Sequence, residues 1–88
     1  MAIDWVSLTD DEYLEKAEQQ IWLSAFASNN PRAPAHAETD SAYDEAKRRE
    51  KTWLYARAWN RAYKSCGYEL SDSDIKAALP PEADHDHT

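Results

Sequence analysis

"DSAYDEAKRREKTWLYARAWNRAYKSCG", residues 40 to 67, decides how this chain is read. It contains no proline, and no glycine before its last position. It is also rich in Ala, Arg and Lys, side chains that lose little freedom in a helix. Asp40 is a suitable N-cap, Asp44 and Glu45 fall in a first turn where the helix dipole favours acids, and Gly67 suits a left-handed terminating position. The stretch therefore reads as one helix of about 26 residues, about 39 Å long. Its first half, YDEAKRREK, has little apolar content and is expected to project into solvent. Trp53, Leu54, Tyr55, Trp59 and Tyr63 wrap the second half as core, and Ala56, Ala58 and Ala62 leave room for a neighbouring helix.

Upstream, Thr9-Asp10-Asp11-Glu12 is a capping box flanked by Leu8 and Tyr13 as a hydrophobic staple, so a first helix starts there. Leu14, Ala17, Ile21 and Ala25 form its apolar stripe, Trp22 and Phe26 widen it, and it runs to about Ala27. Ser28-Asn29-Asn30-Pro31 interrupts it, and Pro34 keeps the chain extended to about Glu38. Downstream, Ser71-Asp72-Ser73-Asp74 offers caps for a short helix over roughly 72–79, which Pro80-Pro81 stops. The closing PEADHDHT reads as a disordered polar tail. The expected architecture is all-α: residues 1–80 form one domain, a hairpin of two long helices plus a short C-terminal helix, and 81–88 form the tail.

Composition supports this class. The chain has 88 residues with one glycine and few β-branched side chains, which disfavours strands. A domain of this size buries only about 60% of its unfolded surface. Four tryptophans, five tyrosines and one phenylalanine compensate, since each buries on the order of 150–250 Å². The apolar girth of the second helix exceeds what the first can cover, so a twofold homodimer is expected.

Few chemistries are suggested by the residue types. Cys66 is the single cysteine, which excludes an internal disulfide and fits a reducing compartment. The first residues carry acids where a signal peptide needs cations, and no stretch approaches the roughly 20 apolar residues of a membrane span. A soluble, cytoplasmic protein without membrane association is expected. No nucleophile has a base nearby, and there is no phosphate loop, so neither enzymatic activity nor a cofactor is expected. His85-Asp86-His87 has metal-ligand residue types but no fixed third ligand, so no metal site is expected. His36, alone between prolines, is read as solvent-facing.

Charge is the sharper feature. The chain carries −7, yet residues 46–66 hold seven cations against Glu50 alone, a net +6, and the other 67 residues carry −13. Acid-rich faces at Asp10, Asp11, Glu12, Glu15 and Glu18, and at Asp72 and Asp74, suit a protein partner with a basic surface. The expected function is that of a small acidic interaction protein, an inhibitor or adaptor. Size and acidity suit an accessory protein of a phage that imitates nucleic-acid charge as a decoy. Two alternatives stand beside it. One is RNA or DNA binding through Lys47, Arg48, Arg49 and Lys51, with aromatic stacking. The other is a structural subunit whose long helix builds an oligomer.

Tyr55-Ala-Arg-Ala-Trp59-Asn-Arg-Ala62, preceded by Asn30-Pro31, resembles the two-helix ribosome modulation factors, where an aromatic pair four residues apart follows an Asn-Pro or Cys-Pro turn. The likeness covers well under half of the chain. This sequence lacks the glycines of that pattern and is acidic where a ribosome-binding factor is basic. What the resemblance implies is the ribosome-associated form of the nucleic-acid alternative.

Overall fold

The computed structural model describes residues 3–80, and all regular structure among them is helical. A 3-10 turn at Trp5–Ser7 precedes α1 (Asp10–Phe26), α2 (Pro34–Arg48), α3 (Thr52–Ser65) and α4 (Asp72–Ala77). Helix α1 starts on the expected capping box of Thr9 with Glu12, and α4, where cap residues were expected, starts on a second box of Ser71 with Asp74; each satisfies two backbone donors that a helix start leaves unpaired.

Helix direction follows from the long-range bonds. Tyr13 donates to the Ala42 carbonyl and Ser24 contacts His36, so α1 and α2 are antiparallel. Lys51 meets Asp10 at one end while Trp22 and Ser65 share a cleft at the other, so α3 runs parallel to α1. Helix α4 reverses again and packs on α3, with Arg57 donating to the Ala78 carbonyl and Asn60 to that of Asp74. The result is an up-down-up bundle with α4 laid along its third helix.

The core is built mainly from small side chains. Ala17, Ala42, Ala46, Ala58 and Ala62 are fully buried or nearly so where α1, α2 and α3 meet, which lets the backbones come close. Leu14, Ile21, Leu54 and Tyr13 fill the remaining space. The buried Tyr13 hydroxyl lies 2.6 Å from the Ala42 carbonyl, so its polar end is satisfied. Burial also raises the Tyr13 phenol above its ordinary range. Trp5 closes the open end edge-on to Tyr13. Its indole N–H and the Ile3 amide both donate to Glu38, which ties the N-terminal segment to α2.

The expected second long helix is two helices. Chain reversal occurs at Arg49-Glu50-Lys51, where Glu50 takes φ 57°, a left-handed value rare outside glycine. The Lys51 amide donates to the Ala46 carbonyl at 2.9 Å and the Glu50 amide to Lys47 at 3.0 Å, the paired bonds of a Schellman motif. Splitting the helix lets both halves bury their apolar faces on α1, which a straight rod of that length cannot do. The first half does not project, because Ala42, Glu45 and Ala46 are buried.

The linker also differs from expectation. Pro34 occupies the first turn of α2, where a missing N–H removes no helical bond, so α2 starts well before Asp40. His36 is not simply solvent-facing. Its Nε2 donates to the Ala27 and Asn30 carbonyls while Nδ1 accepts from Ser24, so the imidazole caps the end of α1 and fastens the loop. The polar tail expected at 81–88, with His85-Asp86-His87, lies outside the described residues.

Candidate functional site

Four cations proposed as nucleic-acid contacts sit at the α2–α3 corner, and the structure turns three of them inward or onto neighbours. Arg49 keeps only 11% of its side chain exposed. Its Nε donates to Glu45 at 2.6 Å, one terminal nitrogen donates to Asp10 at 2.9 Å, and the other donates to the Trp5 and Leu8 carbonyls at 2.8 and 2.7 Å. The guanidinium also lies over the Tyr13 ring. One side chain thus ties the end of α2 to the N-terminal turn and the start of α1.

Glu45 is the anion of this cluster, with 4% of its side chain exposed. Arg48 grips it with two bonds, of 2.7 and 2.6 Å. The Arg48 pairing, reinforced by Arg49 and opposed by burial, holds the Glu45 carboxyl down to about 2. Lys51 bonds Asp10 at 2.8 Å, and that bond, with help from Arg49, lowers the Asp10 carboxyl too. Lys47 makes a 3.6 Å contact with Asp44 on an exposed face and lies over the Tyr43 ring.

The acidic residues divide in the same way. Asp10 belongs to the Arg49 and Lys51 cluster, Glu12 bonds back to the Thr9 amide, and Asp74 bonds back to the Ser71 amide. Asp72 is exposed in the first turn of α4. Asp11, Glu15 and Glu18 make no ion pair among the described residues. They recur at four and three residues, a spacing that places them along one face of α1.

That face ends in aromatics expected to be core. Phe26 is 72% exposed and Trp22 37%, with their rings 4.4 Å apart, and Leu23 beside them is exposed too. They lie beyond the last buried α1 position, Ile21, where the bundle is no longer covered. A cleft of about 410 Å³ between this end of α1 and Ser65 is lined by Glu15, Glu18, Gln19 and Trp22. The aromatic half of α3 behaves differently. Trp59, Tyr63 and Tyr68 pack ring against ring, and Tyr55 meets Tyr43 edge-on, so α3 finds much of its cover within one chain.

A second set of cations was missed. Arg57, Arg61 and Lys64 recur at four and three residues on α3 and make no ion pair among the described residues. Arg57 lies over Trp53 and bonds the end of α4, while Arg61 and Lys64 are exposed. They border a groove of about 260 Å³ against α4, with Leu70, Ile75 and Leu79 on its apolar side. Ile75 and Leu79 are 49% and 51% exposed. None of the three has an acid three or four positions away, whereas Arg48 and Arg49 have Glu45, but Lys51 lacks one too and pairs with Asp10 across the bundle, so local spacing alone did not mark the set.

No group of three or more His, Cys, Asp or Glu side chains able to hold a metal occurs among the described residues, and none of their helices is long and apolar enough to cross a membrane. Cys66 is exposed at the end of α3. No protein-family model matches the chain, and no curated protein or solved structure is significantly similar to it, so the likeness of residues 55–62 to ribosome modulation factors carries no family assignment.

Proposed function

We propose that this is an interaction protein that occupies a basic, partly apolar surface of a protein partner through the outer face of α1. The observation that carries this reading is a continuous strip of Asp11, Glu15 and Glu18, without internal ion pairs among the described residues, that runs into the exposed Trp22–Phe26 pair. Carboxylates of this kind steer encounter, and a desolvated aromatic anchor supplies most of the affinity at a typical interface. The partner is inhibited or recruited by occupation of its surface, and no chemistry on the partner is required.

The test uses purified partner, once isolated, and three variants. Glu15→Lys with Glu18→Lys is expected to slow association by about tenfold or more. Phe26→Ala is expected to speed dissociation, with about 2 kcal/mol of affinity lost. Arg61→Glu serves as the comparison on the other helix. Unchanged binding in the first two variants would place the contact elsewhere.

Nucleic-acid binding is the second reading, now moved from the α2–α3 corner to Arg57, Arg61 and Lys64, three clustered α3 cations with no carboxylate partner among the described residues. It requires measurable affinity for RNA or DNA that falls steeply between about 50 and 200 mM salt.

A further inference from the structure

The groove between α3 and α4 leaves two kinds of side chain without a partner, one aliphatic and one cationic. It has a volume of about 260 Å³, with Leu70, Ile75 and Leu79 on its apolar side and Arg57, Arg61 and Lys64 along α3. Ile75 and Leu79, four positions apart, are half exposed, and the six residues of α4 include none that is buried. A helix that short does not persist on its own. It is held in place by Asn60 and Arg57, which donate to the Asp74 and Ala78 carbonyls at 2.7 and 3.1 Å, so both walls are fixed before any ligand arrives. Arg57 is engaged with Trp53 and α4, whereas Arg61 and Lys64 are exposed and make no ion pair among the described residues. These two free cations lie about 4.5 Å apart along the helix axis.

The ligand chemistry that fits is anionic on one flank and aliphatic beside it. Nucleic acid supplies the anion, but its bases need rings to stack on, and no aromatic side chain is among the described residues lining the groove. We propose that the groove receives an acidic amphipathic helix of a partner protein, its leucine-like anchors set among Leu70, Ile75 and Leu79 and its carboxylates against Arg61 and Lys64. The chain's net charge of −7 opposes such a ligand at long range, so the pairing acts only within a Debye length, about 8 Å at physiological salt. The groove shares no lining residue with the α1 cleft, and the ligand it selects is opposite in charge. A protein that holds a basic surface on α1 and an acidic helix on α3–α4 works as an adaptor, and the second contact does not depend on the first.

The experiment is fluorescence anisotropy of the full chain, titrated to about 200 µM, against a labelled amphipathic peptide of about 15 residues, roughly four helical turns, with leucine on one face and glutamate on its flanks. Saturable binding is expected. The same peptide with glutamine for glutamate, and the same peptide with alanine for leucine, are each expected to bind about tenfold more weakly. Arg61→Glu/Lys64→Glu should lose about tenfold for the glutamate peptide and little for the glutamine one, whereas Ile75→Ser/Leu79→Ser should weaken both. Circular dichroism of each variant should match wild type, as all four side chains are exposed. Absence of saturation, equal affinity for the glutamate and glutamine peptides, or variants that bind as wild type does each overturn the proposal. So does a single-stranded oligonucleotide that binds more tightly than the glutamate peptide and loses affinity in Arg61→Glu/Lys64→Glu. A dimer that forms without peptide and is abolished by Ile75→Ser/Leu79→Ser gives the groove to a second copy and overturns it as well.

Discussion

Helices α2 and α3 end in the same hydrogen-bond pattern with different residues at the turning point. At the end of α3 the Tyr68 amide donates to Tyr63 and the Gly67 amide to Lys64, and Gly67 takes φ 88°. At the end of α2 the equivalent bonds run from Lys51 to Ala46 and from Glu50 to Lys47, and Glu50 takes φ 57°. Glycine adopts that conformation without steric penalty, whereas a side-chain-bearing residue costs about 1–2 kcal/mol there. The α3 end therefore terminates by local chemistry. The α2 end must be held from outside, and the ion cluster around Arg49 and Glu45 holds it.

If that cluster imposes the turn, Arg49→Ala is the most damaging single change in the corner. It leaves Glu45 with one cation fewer and strips donors from the Trp5 and Leu8 carbonyls and from Asp10. The expected loss is about 3–5 kcal/mol, a large part of the stability of so small a domain. Urea denaturation measures it, and Arg61→Ala on the open face should stay within about 0.5 kcal/mol of wild type. Equal effects at the two arginines would show that the corner needs no clamp.

Acid probes the same cluster from its anion. The folded-state Glu45 pKa lies near 2, below its usual 4.5, so its contribution is complete above pH 4.5 and disappears as pH falls towards 2. With solvent reaching the Arg48 side of the pair, about 2 kcal/mol is expected to be lost over that window. Asp10 shifts in the same direction and adds to the loss. Melting temperatures of wild type and Glu45→Gln from pH 7 to 2 isolate the effect, because the neutral variant should be less stable at pH 7 and converge with wild type in acid. Parallel profiles would remove Glu45 from the account.

The smallest effects compare the two turning residues directly. Gly67→Ala meets open space but an unfavourable φ, and should cost about 1 kcal/mol. Glu50→Gly relieves the same strain at the expense of unfolded-chain entropy, and should stabilise by about 0.5 kcal/mol. Thermal shifts of opposite sign at the two positions would sharpen the comparison. A destabilising Glu50→Gly would mean that the Glu50 side chain or its rigidity matters more than its φ.

What was legible in the sequence was local. The capping box at Thr9, the cap residues at 71–74, the stop at Gly67, the apolar spacing of Leu14, Ala17 and Ile21, and the scarcity of strand formers each act within a few residues. Together they specify helices and an all-α chain. The break at Glu50 carried no such mark, because Lys, Arg and Glu all favour a helix and none favours a left-handed backbone. Only packing favours it: two shorter helices bury Ala42, Ala46, Leu54, Ala58 and Ala62 against α1, and Arg49 reaches 39 residues back to Asp10 to fasten the corner. Local and long-range contacts together decided the fate of the charges. Lys51, Arg48 and Arg49 found carboxylates and became part of the fold, while Arg57, Arg61 and Lys64, equally cationic in sequence, kept their charge unpaired, since no acid lies three or four positions away on α3 and no described ion pair reaches them from another helix. Sequence determines which side chains carry charge, and the tertiary structure decides which of those charges remain available.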